Sequence, residues 1–186
     1  MNRKNVVLSL LIITVLIVSF GFIFKPKQAD QQAAIQWLTI EEAAALAAKD
    51  GKKIVVDVYT DWCGWCKKMD KATYENAMIV EMMSKDFHAV KLNAEQKGDI
   101  SLKGQTFKFV ANGRNGYHEY AAQLLGGKLS YPSTVFLNPD LTPLYNVPGY
   151  REAKEFSAIL SYTREEAYKR ISFQDYAATY QAPVAK

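Results

Sequence analysis

Val55-Val56-Asp57-Val58-Tyr59-Thr60-Asp61-Trp62-Cys63-Gly64-Trp65-Cys66-Lys67 contains both cysteines of the 186-residue chain and the run that places them. Ile54 to Tyr59 is a β-branched, apolar run of strand length, interrupted only by Asp57. Such a run marks a strand covered on both faces, which puts Asp57 in the interior. A helical stretch is expected beyond the cysteines, reaching roughly Lys85. Cys63 and Cys66 therefore stand where a buried strand hands over to a helix. The first sulfur then lies beside the unpaired amides of the first turn, which together with the helix dipole stabilise a thiolate. A free thiol of pKa about 8.5 is only a few per cent ionised at neutrality, whereas one near 7 is about half ionised. The second sulfur, one turn further in, is placed to attack a mixed disulfide. Cys63 reads as the nucleophile and Cys66 as the resolving thiol.

Other uses of two cysteines compete with this reading. A structural disulfide framework needs more bridges closing longer loops. A tetrahedral zinc site needs two more ligands, and His88 and His118 lack paired spacing. Haem attachment needs a histidine after the second cysteine, where Lys67 stands. A Cu(I) carrier using two thiolates stays open, as does a pair of inert buried cysteines.

Upstream, Thr39-Ile40-Glu41-Glu42 has the form of a capping box and opens an Ala-rich helix to about Lys49, with Gly51 as its stop. Downstream, Phe87 to Leu92 is a second strand candidate. Residues 94–116 are polar and glycine-bearing, with Phe107-Lys108-Phe109-Val110 as a short strand. Tyr117 to Leu125 reads as a helix stopped by Gly126-Gly127, and His118 falls on it as a solvated histidine, with a functional role as the alternative. Ser133 to Leu137 is a strand, Asn138-Pro139-Asp140 a turn, and Pro143 to Val147 the partner strand. Pro143 restricts that partner to an edge or a strand start. A last helix is expected from Arg151 to about Arg170, with Phe156, Ile159, Leu160, Thr163 and Ala167 at helical spacing. Residues 173–186 read as a surface tail. Strands separated by helices, then a hairpin and a closing helix, describe an α/β fold with a mixed sheet and helices on both faces.

At the other end, Val6 to Phe24 is a run of 19 uncharged residues, long enough to cross a bilayer core. It exceeds the usual core of a cleaved signal and favours a retained anchor, although Ser19-Phe20-Gly21 offers a cleavage site that would release a soluble form without residues 1–21. The short basic head is most simply left in the cytoplasm, with the body exported, in a bacterium to the periplasm. Taking residues 1–24 from 186 leaves 162, which suits one compact domain with short extensions. The expected organisation is an anchor or signal over 1–24, a stem over 25–36, a domain over 37–171 and a tail over 172–186. Arg3, Lys4, Lys25 and Lys27 flank the apolar run; of 23 Lys and Arg they leave 19, against 19 Asp and Glu. A neutral body with its basic surplus at a membrane edge argues against nucleic acid as a partner.

The opening segment resembles the strand-to-active-site segment of the thioredoxin superfamily. The resemblance continues through Val90-Lys91-Leu92-Asn93, Tyr131-Pro132-Ser133-Thr134-Val135-Phe136-Leu137 and Gly149, over about residues 37–171. It implies a thioredoxin-like fold, a central mixed β-sheet flanked by helices, here preceded by one N-terminal transmembrane helix. By the same resemblance Asp57 matches the buried carboxylate that accepts a proton from Cys66; the alternative is a structural acid paired with a lysine. Pro132 matches the cis-proline that faces the disulfide and shapes a substrate groove. Tyr131 lines that groove and Trp62 covers the site from the side. Trp62, Gly64, Trp65, Tyr131 and Pro132 are thus the expected substrate-contacting set. Three departures stand out: Trp65 replaces the proline of thioredoxin's own dipeptide, Lys71 stands where many relatives have a helix-kinking proline, and residues 94–127 make a longer connection, read as a partner-specific surface.

The resemblance implies an extracytoplasmic thiol–disulfide oxidoreductase, membrane-tethered through residues 6–24, that reduces disulfides in exported proteins. No organic cofactor and no metal are implied, and electrons are expected from a membrane electron donor. The reading from another class is a binding module on the same fold, either a Cu(I) carrier or a redox-inert one.

Overall fold

The computed structural model describes residues 34–113 and 115–183. The apolar run Val6 to Phe24 and most of the stem lie outside the described residues. Among the described residues no helix is long and apolar enough to cross a membrane.

Helix α1 (Ile40–Asp50) starts and stops on the local signals seen in the sequence. Thr39 accepts from the Glu42 amide while the Glu42 side chain accepts from the Thr39 amide, and Gly51 ends the helix in the left-handed conformation at φ 74°. Strand β1 (Lys53–Tyr59) follows, buried on both faces. The Cys-x-x-Cys segment opens α2 (Gly64–Met69), which runs into a π turn (Asp70–Tyr74) before α3 (Ala77–Asp86) begins. Strand β2 (Phe87–Asn93) then pairs parallel to β1. Strands β7 (Ser133–Leu137) and β8 (Pro143–Pro148) complete an antiparallel flank, giving the order β2-β1-β7-β8. Pro143 is the first residue of the edge strand, one of the few sheet positions that suit a proline.

Because strand side chains alternate, β1 divides the core in two. Ile54, Val56 and Val58 face α1 together with Val90, Leu92, Val135 and Leu137. Val55 faces the opposite layer of Met69, Ile79, Met83, Phe136, Phe156 and Leu160, contributed by α2, α3, β7 and α5 (Ala153–Arg164). Asp57, two residues on from Val55, points to this second layer. The expected mixed sheet with helices on both faces is therefore present.

Several local expectations are corrected. The helix read continuously to Lys85 breaks: the Glu75 amide donates to Asp70 O at 3.0 Å, the i→i+5 bond of a π turn, and Asn76 caps α3 through the Met78 amide. Phe107-Lys108-Phe109-Val110 is not one strand. It is the end of β4 (Gln105–Phe107), which pairs with β3 (Ile100–Leu102), and the start of β5 (Phe109–Asn112), which pairs with β6 (Asn115–His118). Tyr117 and His118 consequently belong to a strand, and helix α4 covers only Glu119–Leu124. His118 is not solvated; it is fully buried, its Nδ1 capping α4 through the Tyr120 amide and its Nε2 bonded to Gly98 O at 3.1 Å. Helix α5 ends at Arg164 because Glu166 turns left-handed at φ 53°, held by Lys53 at 2.8 Å, and only a short 3-10 turn follows (Ala167–Lys169). Finally, the segment read as a tail carries α6 (Phe173–Thr179), whose Phe173 and Tyr176 rings pack at 5.5 and 5.3 Å from that of Tyr162. That aromatic docking is tertiary, and α6 has no buried residue of its own to advertise it.

The β5–β6 hairpin closes around Gly116, where a Cβ would meet the Phe109 ring and lie 2.6 Å from the Val110 carbonyl oxygen. A ring can turn aside; a paired carbonyl cannot. Gly116→Ala is expected to destabilise the protein by about 1–3 kcal/mol, the scale of overpacking, read as a lower urea midpoint at unchanged slope.

Candidate active site

Strand β1 delivers its buried end to Thr60, whose carbonyl accepts from the Cys63 amide at 3.1 Å and turns the chain into α2. Cys63 is the N-cap of α2 and its Sγ accepts from the Cys66 amide at 3.1 Å. Cys63, Cys66 and Met69 are buried and the residues between them exposed, the three-residue spacing of one helical face. The two sulfurs are joined in a disulfide, so the structure holds the oxidised pair, with Cys63 and Cys66 4% and 3% exposed. On reduction, the amide that donates to Cys63 Sγ is in place to stabilise a thiolate there. Cys66, inside the helix, lacks that terminal position.

Two tryptophans flank the pair. Trp62 is 67% exposed, meets Tyr131 edge-on at 5.9 Å, and donates from Nε1 to Glu95 Oε1 at 3.1 Å. Trp65 is 58% exposed and lies 5.5 Å from the Tyr150 ring, with the Lys68 ammonium over both rings at 4.7 and 4.9 Å. Gly64, between them, opens α2 with open space where a Cβ would stand. The Tyr131–Pro132 bond is cis, and the Pro132 carbonyl accepts from the Gly149 amide at 2.7 Å, tying the turn to the end of β8. A groove of about 400 Å³ runs between Trp62 and Tyr131 on one side and Asn112, Gly116 and Tyr117 of the β5–β6 hairpin on the other. The long connection over 94–127 thus walls the site.

Asp57, in the strand that leads into the pair, is 1% exposed. Its Oδ2 accepts from Lys91 Nζ at 2.7 Å, while Oδ1 is buried with no hydrogen-bond partner. Burial pushes the Asp57 carboxyl above its ordinary range, and Lys91 pulls it down without prevailing. Lys91 also pairs with Asp70 of the π turn. Partial burial works against its ammonium, but the two carboxylates outweigh it and its pKa is raised. Tyr74 is pushed well above the phenol range, by burial first and then by the Asp57 charge. The Tyr74 side chain also acts on the Asp57 carboxyl as a hydrogen-bonding neighbour and draws it down, by less than burial raises it.

The structure brings Cys63, Cys66, Trp62, Trp65, Tyr131 and Pro132 to one end of the sheet, with Asp57 in the strand beneath. Both weighed descriptions of Asp57 apply geometrically: it is buried with one open oxygen, and it is paired with a lysine. Sequence reasoning missed Glu95, Asp70, Tyr150 and the functional setting of Lys91. Lys91 lies in the matching segment Val90-Lys91-Leu92-Asn93, where a lysine between two apolar residues is a signal; Asp70 and Tyr150 carry none. Among the described residues no group of three or more His, Cys, Asp or Glu side chains is placed to hold a metal ion.

The raised Asp57 pKa has a thermodynamic consequence. The native state keeps its proton to higher pH than the unfolded chain, so stability falls as pH rises from the ordinary value of 3.8 through the folded one. Asp57→Asn is therefore expected to gain stability over the wild type across that window, by about 1.4 kcal/mol for each unit of displacement. Urea unfolding between pH 4 and 9 checks it; a constant difference between the two proteins would contradict the raised value.

Comparison with known proteins agrees with this geometry. The family described as Thioredox_DsbH, "Protein of unknown function, DUF255", matches residues 27–170. The uncharacterized protein B0495.5 of Caenorhabditis elegans is 29% identical over 111 residues, 59% of this chain but 13% of that protein, so the chain spans about an eighth of its length. The thiol:disulfide interchange protein DsbD of Pseudoalteromonas atlantica is 39% identical over 44 residues, 24% of this chain and 7% of that protein. A solved structure described as DsbH oxidoreductase superposes with a TM-score of 0.51 at 23% identity, covering 69% of this chain and 84% of the other, which establishes the shared fold. With a thioredoxin-like α/β fold, a Cys63-x-x-Cys66 pair at the head of a helix and this match over most of its length, the chain belongs to the Thioredox_DsbH family.

Proposed function

We propose that the protein is an extracytoplasmic thiol–disulfide oxidoreductase that reduces disulfides in other exported proteins. The observation that carries the reading is the Cys66 amide donating to Cys63 Sγ at the head of α2, with Asp57 and its unpartnered oxygen in the strand below. In the reduced protein the Cys63 thiolate attacks one sulfur of a substrate disulfide. That bond breaks, a mixed disulfide forms, and the other substrate sulfur leaves as a thiolate. The Cys66 thiol then gives its proton to Asp57 and attacks Cys63 Sγ. The mixed disulfide breaks, the Cys63–Cys66 disulfide closes, and the second substrate thiolate departs. Two electrons have passed to the substrate, and a membrane partner returns them. Trp62, Gly64, Trp65, Tyr131 and Pro132 make the surface on which the substrate segment lies.

The reducing direction rests on the electrostatics of the pair. A buried carboxylate behind the cysteines opposes additional negative charge on their reduced form, and Gly64-Trp65 supplies no cation to offset it. Strongly oxidising members of this chemistry stabilise the reduced thiolate heavily. The export and the tether rest on the uncharged run Val6 to Phe24 behind its short basic head.

Three measurements test the reading. Cys66→Ser is expected to accumulate mixed disulfides with exported proteins and Cys63→Ser to accumulate few, on non-reducing gels; equal trapping would reverse the assignment. Equilibrated against glutathione buffers, the pair should show a potential below about −200 mV, whereas one near about −120 mV would make it an oxidant. A reporter active only outside the cytoplasm, fused after Lys186, should be active in membranes that withstand a salt wash.

A further inference from the structure

Lys91 is shared. Its ammonium is 2.7 Å from Asp57 Oδ2 and in closer contact still with Asp70 Oδ1. It lies 4.9, 5.1 and 5.3 Å from the ring centroids of Trp37, Tyr59 and Tyr74, a half-buried position with aromatic walls. Asp57 is buried, whereas the Asp70 side chain is 40% exposed, so the ammonium joins an interior carboxylate to one at the surface. Asp70 owes its position to the π turn, whose i→i+5 bond runs from the Glu75 amide to its own carbonyl. Such turns are frequent at functional sites.

We propose that Asp70 is a positioning residue of the proton-accepting site: it holds the Lys91 ammonium as a second counter-ion, so that the ammonium stays paired whether or not Asp57 carries a proton. This rests on the reading of Asp57 given above and deepens it. With Asp57 as its one partner, Lys91 would be left as an unpaired, largely desolvated cation each time Asp57 took the Cys66 proton. Stranding a charge in that way is costly and would oppose the transfer. With Asp70 in place the ammonium leans to the outer carboxylate as the inner one is neutralised. The bookkeeping of protons is unchanged: one leaves the Cys66 thiol, one arrives on Asp57, and Lys91 keeps its own.

The groups facing this site are few and come from every packed element. Lys91 comes from β2 and Tyr59 from β1, with Asp61 acting on Tyr59. Asp70 and Tyr74 come from the π turn. Strand β7 contributes the uncharged Thr134, 3.4 Å from the Tyr74 hydroxyl, and α5 the Phe156 ring, edge-on to Tyr74. Trp37, from the segment before α1, meets Tyr74 at 5.0 Å. Among the described residues Asp70 is the one outer carboxylate in contact with Lys91, and its charge acts on Asp57 in the upward direction.

The test is the titration of the Asp57 side-chain carboxyl carbon by NMR in the oxidised protein, which needs no activity. Asp70→Asn should lower the midpoint by on the order of one pH unit, because repulsion from Asp70 is lost and the ammonium turns wholly to Asp57. Asp70→Glu should return it toward the wild-type value. Asp70→Ser gives the same reading should the asparagine variant fail to fold. A midpoint that stays or rises on removal of the Asp70 charge overturns the proposal. With a model peptide held on Cys63 as a mixed disulfide and Cys66 as the free thiol, the pH profile for its release should move toward acid in parallel. A titration that moves beneath an unmoved exchange profile would take Asp57 out of the chemistry, overturning that reading and with it the part of Asp70 in the reaction.

Discussion

A carboxylate in the middle of a four-stranded sheet constrains everything around it. Asp57 lies opposite Lys91 on β2 and opposite Thr134 on β7 in the pairing register, so its two cross-strand neighbours are a base and a hydroxyl. Strand side chains alternate, and a slip of one residue on either side would carry those neighbours to the other face. The register that brings Lys91 to Asp57 is the one that puts Val90 and Leu92 against α1 and that sets the Cys63 turn at the end of β1. Apolar packing on one face and ion pairing on the other thus select the same alignment. Removing Lys91 alone would strand the Asp57 carboxylate in the interior, whereas removing the Asp57 charge leaves the ammonium on Asp70.

The second layer shows how the helical side answers that constraint. An unbroken helix from Gly64 to Lys85 would have a uniform 3.6-residue period. The π turn adds one residue to one turn, so Asp70 reaches Lys91 while Tyr74, four residues later, is buried beside Thr134 and Phe156. Thr73 donates from its hydroxyl to Arg151 O at 2.6 Å, fixing the same turn to the entry of α5. The resemblance to thioredoxins had marked this place as a departure, Lys71 in the position of a kinking proline. Here the irregularity is made by hydrogen bonding and tertiary contact without a proline.

On the opposite side of the disulfide, the connection over 94–127 becomes two hairpins instead of a loop. The second is anchored through His118, whose amide donates to Ala94 O at 2.7 Å and whose ring bonds Gly98 O and the Tyr120 amide. This buried histidine lets a short, polar hairpin stand beside Trp62 and Tyr131 as a wall. Its strands carry little apolar alternation of their own, since they gain their order from the body they lean on.

What the sequence determined by itself was whatever local chemistry dictates. The Thr39–Glu42 box and Gly51 bound a helix through bonds made within a few residues. Ile54 to Tyr59 and Ser133 to Leu137 are apolar enough to be strands in any packed setting, and their apolarity forces Asp57 inside. The Cys63-x-x-Cys66 spacing puts both sulfurs on one helical face. The Tyr131-Pro132 bond took its meaning from a resemblance, and the fold shows it cis beside the site. Only the tertiary structure decided the rest: the ammonium of Lys91 divided between Asp57 and Asp70, Glu95 on the Trp62 indole, Tyr150 against Trp65, the burial of His118, and α6 docked on Tyr162. Each of these joins groups separated by roughly ten to more than eighty residues. Sequence periodicity reports the face a residue presents; it does not report what the fold brings opposite that face.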